Sequence, residues 1–207
     1  MPESPLVCLI DDDPALRHSL SFLLDMAGFR TACFSGGEPF LHAPEFASCQ
    51  CAIADIRMPG MSGIDLLRQA RSMRPALPVI MITGHADVPL AVEAMKAGAV
   101  DFIEKPFDDD RLIGSIRSSL EGRVARDEHQ KPRDIMERLE ALSDREHEVL
   151  LSLVRGNPNK VVAYELGISA RTVEIHRAHV MAKMNARNLA DLVRMALAAG
   201  CLDQAGP

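Results

Sequence analysis

Five short apolar runs fall in the first half of the chain, LVCLI (Leu6 to Ile10), RTACF (Arg30 to Phe34), CAIA (Cys51 to Ala54), PVIMI (Pro78 to Ile82) and DFIE (Asp101 to Glu104). The segments between them carry helical spacing, as in Leu16, Leu20, Leu23 and Leu24, which share one face of a helix. Continuous apolar strands alternating with helices require a parallel sheet covered on both sides. The expected fold of this half is a five-stranded, doubly wound α/β domain.

The second half has no such run. LSDREHEVLLSLVRG opens with a capping box, Ser143 to Glu146, and ends at Gly156; NKVVAYELG ends at Gly167; SARTVEIHRAHVMAKM and NLADLVRMALAAG follow. Caps and stops at these intervals describe a compact bundle of about four helices. The expected division is therefore a sheet domain over 1–123, a charged linker over 124–142, partly helical through IMERLEAL, and a helical domain over 143–207.

The net charge of −6 is unevenly spread. Residues 1–125 hold 17 acids against 11 bases, whereas from Arg155 to Arg194 seven Arg or Lys stand against three acids. An acidic domain is joined to one able to approach a polyanion, although solvated charge alone would give the same pattern. The five cysteines are odd in number, and Cys49 and Cys51 lack the two-residue gap of redox or zinc motifs; they read as reduced and mostly buried. No apolar run approaches the roughly 18 residues of a membrane helix, and no basic segment precedes the first one. A cytosolic protein with no membrane partner is expected.

Polar residues follow the apolar runs at one predicted sheet edge. Asp11, Asp12 and Asp13 follow the first, Asp55 the third, Thr83 the fourth and Lys105 the fifth. In doubly wound sheets, ligands bind beyond the carboxyl ends of the strands. Crowded carboxylates repel unless a cation intervenes, and hard oxygen donors suit Mg²⁺, which keeps several waters and needs only one or two protein carboxylates. A lysine and a hydroxyl beside them complete a site for a small doubly charged anion such as phosphate. Each residue also has a plain reading: Asp13 before Pro14 is a good N-cap, Thr83 before Gly84 an ordinary turn, and Lys105 a solvated strand end.

With Asp11 and Asp12, DIRMPGMSG around Asp55, ITGHAD with Thr83 and FIEKPF with Lys105, residues 6–123 resemble a response-regulator receiver domain. With TVEIHRAHVMAKM, the whole chain resembles the FixJ-type regulators, which join a receiver to a LuxR-type helix-turn-helix. The resemblance implies that Asp55 accepts phosphate from a sensor histidine kinase. It implies that Asp12 and Asp55 coordinate Mg²⁺ directly, Asp11 through water and Arg57 through its carbonyl, and that Thr83 and Lys105 bind phosphoryl oxygens. Phe102 matches the family's switch aromatic, a position that also suits plain core. Val92 and Lys96 fall on the face that relatives use for homodimerisation when phosphorylated, although Val92 also suits core and Lys96 solvent. RNA polymerase and promoter DNA are the remaining implied partners.

In NKVVAYELGISARTVEIHRAHVMAKM, two helices are separated by a turn at Gly167, with Ser169 as cap. Val173, Val180 and Met184 mark the buried stripe of the second helix, which turns Arg171, Glu174, Ile175 and Ala178 to the other side. A helix so presented can enter a major groove, where Glu accepts from cytosine and Ile packs on a thymine methyl. Thr172 is added to this DNA-contacting set, while Lys160, Arg177 and Lys183 suit phosphate. The chain is expected to be a transcription regulator and not an enzyme. A phosphatase with an aspartyl-phosphate intermediate would need an acid two residues after Asp55, where Arg57 stands. A phosphate-independent DNA-binding regulator would not need the full set Asp11, Asp12, Asp55, Thr83 and Lys105.

Overall fold

The computed structural model describes residues 4–84, 88–122 and 132–201. Two compact units are formed, Met1–His85 with Lys96–Arg126, and Ala86–Met95 with Asp127–Pro207. Among the described residues no helix is long and apolar enough to cross a membrane.

The first unit is built on five parallel strands, β1 (Leu6–Ile10), β2 (Arg30–Phe34), β3 (Cys51–Asp55), β4 (Val79–Thr83) and β5 (Asp101–Glu104), in the order β2-β1-β3-β4-β5. β4 starts at Val79, one residue later than its apolar run, because Pro78 has no N–H to give a ladder. β1, β3 and β4 are buried at every residue, whereas the edge strand β2 is partly exposed along its length. Val7, Leu9, Ile53, Ile80, Ile82 and Ile103 of the sheet pack with Leu20 and Leu24 of α1 (Pro14–Met26) and with Leu112 and Ile116 of α6 (Asp109–Leu120). Two short helices, α2 (Gly37–Leu41) and α3 (Pro44–Ser48), fill the connection between β2 and β3 where sequence periodicity marks none. α4 (Gly63–Met73) follows β3, and α5 (Val88–Lys96) lies in the chain between β4 and β5.

The chain leaves β1 for β2 and returns past β1 to β3, so the strand order reverses between β1 and β3. Groups beyond the carboxyl ends of these two strands therefore face a crevice. The register sets Ile10 beside Ala54, Asp55 beside Ile82 and Thr83 beside Glu104. Asp11, Asp55, Thr83 and Lys105 thus reach the same edge.

The second unit holds α7 (Pro132–Glu140), α8 (Asp144–Val154), α9 (Asn159–Leu166), α10 (Ala170–Met184) and α11 (Leu189–Ala198). α7 is regular helix where the sequence suggests a partly helical linker; residues 123–131 of that region lie outside the described residues. The capping box at Ser143 and Glu146 is formed. α9 stops at Gly167 with φ +64°, a left-handed conformation that glycine adopts without a Cβ penalty. Ser169 then caps α10 by accepting from the Thr172 N–H at 3.0 Å. Val173, Val180 and Met184 are the buried residues of α10, the stripe their spacing dictates. Leu150, Leu153, Val162 and Leu192, on the helices that α10 contacts, are likewise fully buried.

Candidate functional site

At the end of β1, the Asp11 N–H donates to Phe34 O across the sheet, and its carboxylate turns back to accept from the Asp13 N–H at 2.9 Å. Asp13 caps α1 through Ala15 and Leu16, as its place before Pro14 dictates. At the end of β3, Asp55 Oδ2 accepts from the Arg57 N–H at 2.6 Å. Lys105, just beyond β5, donates from Nζ to Asp55 Oδ1 at 2.6 Å and to Asp11 Oδ2 at 2.8 Å. Its own N–H donates to Thr83 O at 2.8 Å, and the Lys105–Pro106 peptide is cis.

Asp11, Asp55 and Thr83 are 3%, 5% and 1% exposed, so two carboxylates stand almost out of water beside one ammonium, with Thr83 buried at the same edge. Burial pulls the Lys105 pKa down, but the hydrogen bonds and charges of Asp11 and Asp55 outweigh it, and the net direction is up. The ammonium is held charged against the acids. Asp12, by contrast, is exposed, and among the described residues no three His, Cys, Asp or Glu side chains form a ready metal cluster. The carboxylates drawn together are thus Asp11 and Asp55, with Lys105 as their common cation.

Two supports of this edge carry little signal in the sequence. Gly63 opens α4 directly behind Asp55: a Cβ there would lie 2.2 Å from Asp55 O and 2.8 Å from Ile56 Cα, so any side chain would displace the strand end. In the sequence Gly63 shows only as the last residue of DIRMPGMSG, after the Ser62 cap, with nothing to mark its contact with Asp55. Asp101 of β5 accepts from Arg111 Nη1 and Nη2 at 2.7 and 2.9 Å, from Ser115 Oγ at 2.7 Å and from the Phe102 N–H at 2.8 Å. That carboxylate ties β5, which carries Phe102 and leads to Lys105, to α6.

Phe102 is buried. Val92 is buried too, because Val88, Ala91, Val92 and Met95 share one face of α5, whereas Lys96 is exposed.

On α10, Arg171, Glu174, Ile175 and Ala178 are exposed and Arg177 is partly so. Ile175, 49% exposed, places an apolar side chain in solvent on the face opposite Val173 and Val180. Thr172 shares a 2.7 Å hydrogen bond with Ser169 and so belongs to the cap. Lys160 is exposed near the start of α9, on which Val161 and Tyr164 are also exposed. Lys183 differs from the other bases: its Nζ donates to Glu146 Oε2 at 2.6 Å and to Ala141 O at 3.2 Å.

Comparison with known proteins bears on both halves of the chain. The family model for the response regulator receiver domain matches residues 7–117, and that for bacterial regulatory proteins of the luxR family matches 140–196. The transcriptional regulatory protein FixJ of Rhizobium meliloti (strain 1021) is 51% identical over 196 residues, covering 94% of this chain and 96% of that protein. FixJ of Azorhizobium caulinodans is 50% identical over 202 residues, covering 97% and 95%. The crystal structure of full-length FixJ from B. japonicum, at 47% identity, covers 95% of this chain and 98% of its own with a TM-score of 0.52. A receiver-type sheet edge, a LuxR-type helix-turn-helix and full-length similarity lead to one assignment: the chain belongs to the FixJ-type response regulators of two-component systems.

Proposed function

We propose that a sensor histidine kinase phosphorylates Asp55 and that the modification controls dimerisation and the grip on promoter DNA. The observation that carries the reading is the Lys105 ammonium lying 2.6 Å from Asp55 and 2.8 Å from Asp11 while both carboxylates are buried. A bond forms between an Asp55 carboxylate oxygen and phosphorus as the N–P bond of the kinase phosphohistidine breaks, and the imidazole leaves with the bonding pair. Lys105 then pairs with a phosphoryl oxygen and the Thr83 hydroxyl donates to another. The phosphoryl group is a signal held on the chain, which makes the protein a regulator rather than an enzyme.

The donor set suits a hard cation: Asp11 and Asp55 already share one cationic partner, and Asp12 and the Arg57 carbonyl add oxygens close in the chain to each. When bound there, Mg²⁺ would neutralise the acids and the charge of the transferring group. Phe102, next to the Asp101 tie, would relay the change at Thr83 to a dimer face that includes Lys96. In the helical unit, Arg171, Glu174, Ile175 and Ala178 would face the major groove while Lys160 and Arg177 take phosphates. A cytoplasmic setting and contact with RNA polymerase complete the reading.

The test is labelling with a small-molecule phosphodonor. Acid-labile phosphate should appear only with a divalent cation present, and Asp55→Asn should accept none. Undiminished label on that variant would remove Asp55 as the acceptor.

A further inference from the structure

Lys183 stands in the last turn of α10, where a cation is favoured by the helix dipole and where sequence alone points to a DNA phosphate. Its ammonium is instead directed inward. It donates to Glu146 Oε2 at 2.6 Å and to the Ala141 carbonyl at 3.2 Å, which leaves one of its three N–H bonds. Glu146 is fixed before Lys183 reaches it: the same Oε2 accepts from the Ser143 N–H at 2.8 Å and the Ser143 hydroxyl at 3.0 Å, and the side chain is 6% exposed. His179 Nδ1 stands 3.6 Å from the other oxygen. Next to Lys183 in the chain, the Met184 carbonyl accepts from Arg138 Nη1 of α7 at 3.1 Å. The carboxyl end of α10 is therefore bolted from two sides onto the corner between α7 and α8.

We propose that Lys183 is a positioning residue that sets the tilt of the DNA-reading helix through Glu146, and not a phosphate clamp. The inference rests on the DNA-binding reading above. To reach a phosphate, Lys183, whose side chain is 41% exposed, would have to leave a carboxylate that is only 6% exposed and so strip a fixed acid of its cation. The Lys183 hydrogen bond, and after it the Ser143 N–H, hold the Glu146 pKa down at about 2, so the acid stays charged at neutral pH. Geometry turns the tie into a lever. Glu174 is nine residues before Lys183, about 13 Å along the helix axis, so a tilt of about 5° at the anchor moves it by about 1 Å. Hydrogen bonds to base edges do not survive such a shift, whereas the looser contacts to phosphates do.

The experiment is a binding titration of the full chain against DNA selected from a random pool and against its scrambled counterpart, over a range of salt concentrations. Circular dichroism fixes the folded fraction of each variant. Lys183→Ala is expected to lose about fivefold or more on selected DNA, to lose little on scrambled DNA, and to keep the parent salt slope. Lys183→Arg should recover most of the loss, Glu146→Gln should behave like Lys183→Ala, and the double variant should be no worse than either. A salt slope lower by about one with equal loss on both DNAs, Glu146→Gln being harmless, would make Lys183 a phosphate contact. Equal loss on both DNAs in proportion to the unfolded fraction would reduce it to general stability. Lys160→Ala is the control: if the parent shows no salt-dependent DNA binding, the DNA reading itself fails and takes this inference with it. If the parent binds and Lys160→Ala lowers the slope, the results for the Lys183 variants bear on the positioning role alone.

Discussion

The two functional regions hold their charges in opposite ways. At the sheet edge, Lys105, Asp11 and Asp55 grip one another inside a crevice, and their carriers are separated by up to 94 residues of chain. On α10 the expected reading groups lie within one helix, exposed, with Glu174 and Ile175 adjacent in sequence. A site that performs covalent chemistry needs groups fixed before the reactant arrives. A surface that reads a groove needs only one well-aimed helix. The sheet edge should accordingly be intolerant of small changes in backbone position, and the helix surface tolerant of them except where its anchor is disturbed.

The strongest challenge to that contrast is Gly63→Val. With 2.2 Å between a Cβ and Asp55 O, it should abolish phosphodonor labelling and destabilise the first unit by about 2–4 kcal/mol, read by chemical denaturation. Gly167→Ala, at φ +64°, is the counterpart in the helical unit and should cost only about 1 kcal/mol with DNA selectivity retained. Equal costs would erase the difference between the regions.

Lys105→Met comes next. It leaves two buried carboxylates without their common cation and should cost about 1–3 kcal/mol, below the figure for a fully buried pair because the lysine side chain is 22% exposed. Because the Lys105 pKa is raised, its contribution is fully present below the ordinary lysine value of 10.5 and is lost as pH rises through the higher folded value. The gap between parent and Lys105→Met in denaturant midpoint should therefore close as pH climbs past 10.5; a gap that widened there would contradict the pairing.

On the helix surface, Glu174→Ala and Ile175→Ala should each cost about 1–3 kcal/mol on selected DNA and much less on scrambled DNA, in the same titration that tests Lys183. Equal losses on both DNAs would show that this face does not read bases. The smallest effect belongs to Lys96→Ala, an exposed charge worth about 0.5 kcal/mol or less in a screened contact. It should slightly lower the dimer fraction of the phosphorylated protein in sedimentation without altering labelling, and no change at all would remove Lys96 from the dimer face.

Much of this is visible in the sequence because the signals are local. Apolar runs mark the five strands, and the acids and lysine that follow them mark the members of the crevice. The stripe Val173, Val180 and Met184 correctly assigns the inner face of α10. Less visible are relations that only tertiary structure creates. The box at Ser143 and Glu146 can be read from a three-residue spacing, but its partner Lys183 lies 37 residues away and carries no mark distinguishing it from a phosphate binder. Gly63 looks like one more turn glycine until Asp55 is set against it. The short helices α2 and α3 are single turns, too brief for periodicity to reveal.

The main chain of Asp55 is backed closely, since Gly63 brings α4 against Asp55 O and Ile56 Cα with no room for a methyl group, and the tip of Met81 fills the same space. A shift of the strand end towards α4 meets backbone first, and Met81 Cε is the flexible neighbour that can give. On the proposed reading, a group added to Asp55 would press towards the β4 and β5 ends that carry Thr83 and Lys105, and the backing at Gly63 would help to set that direction.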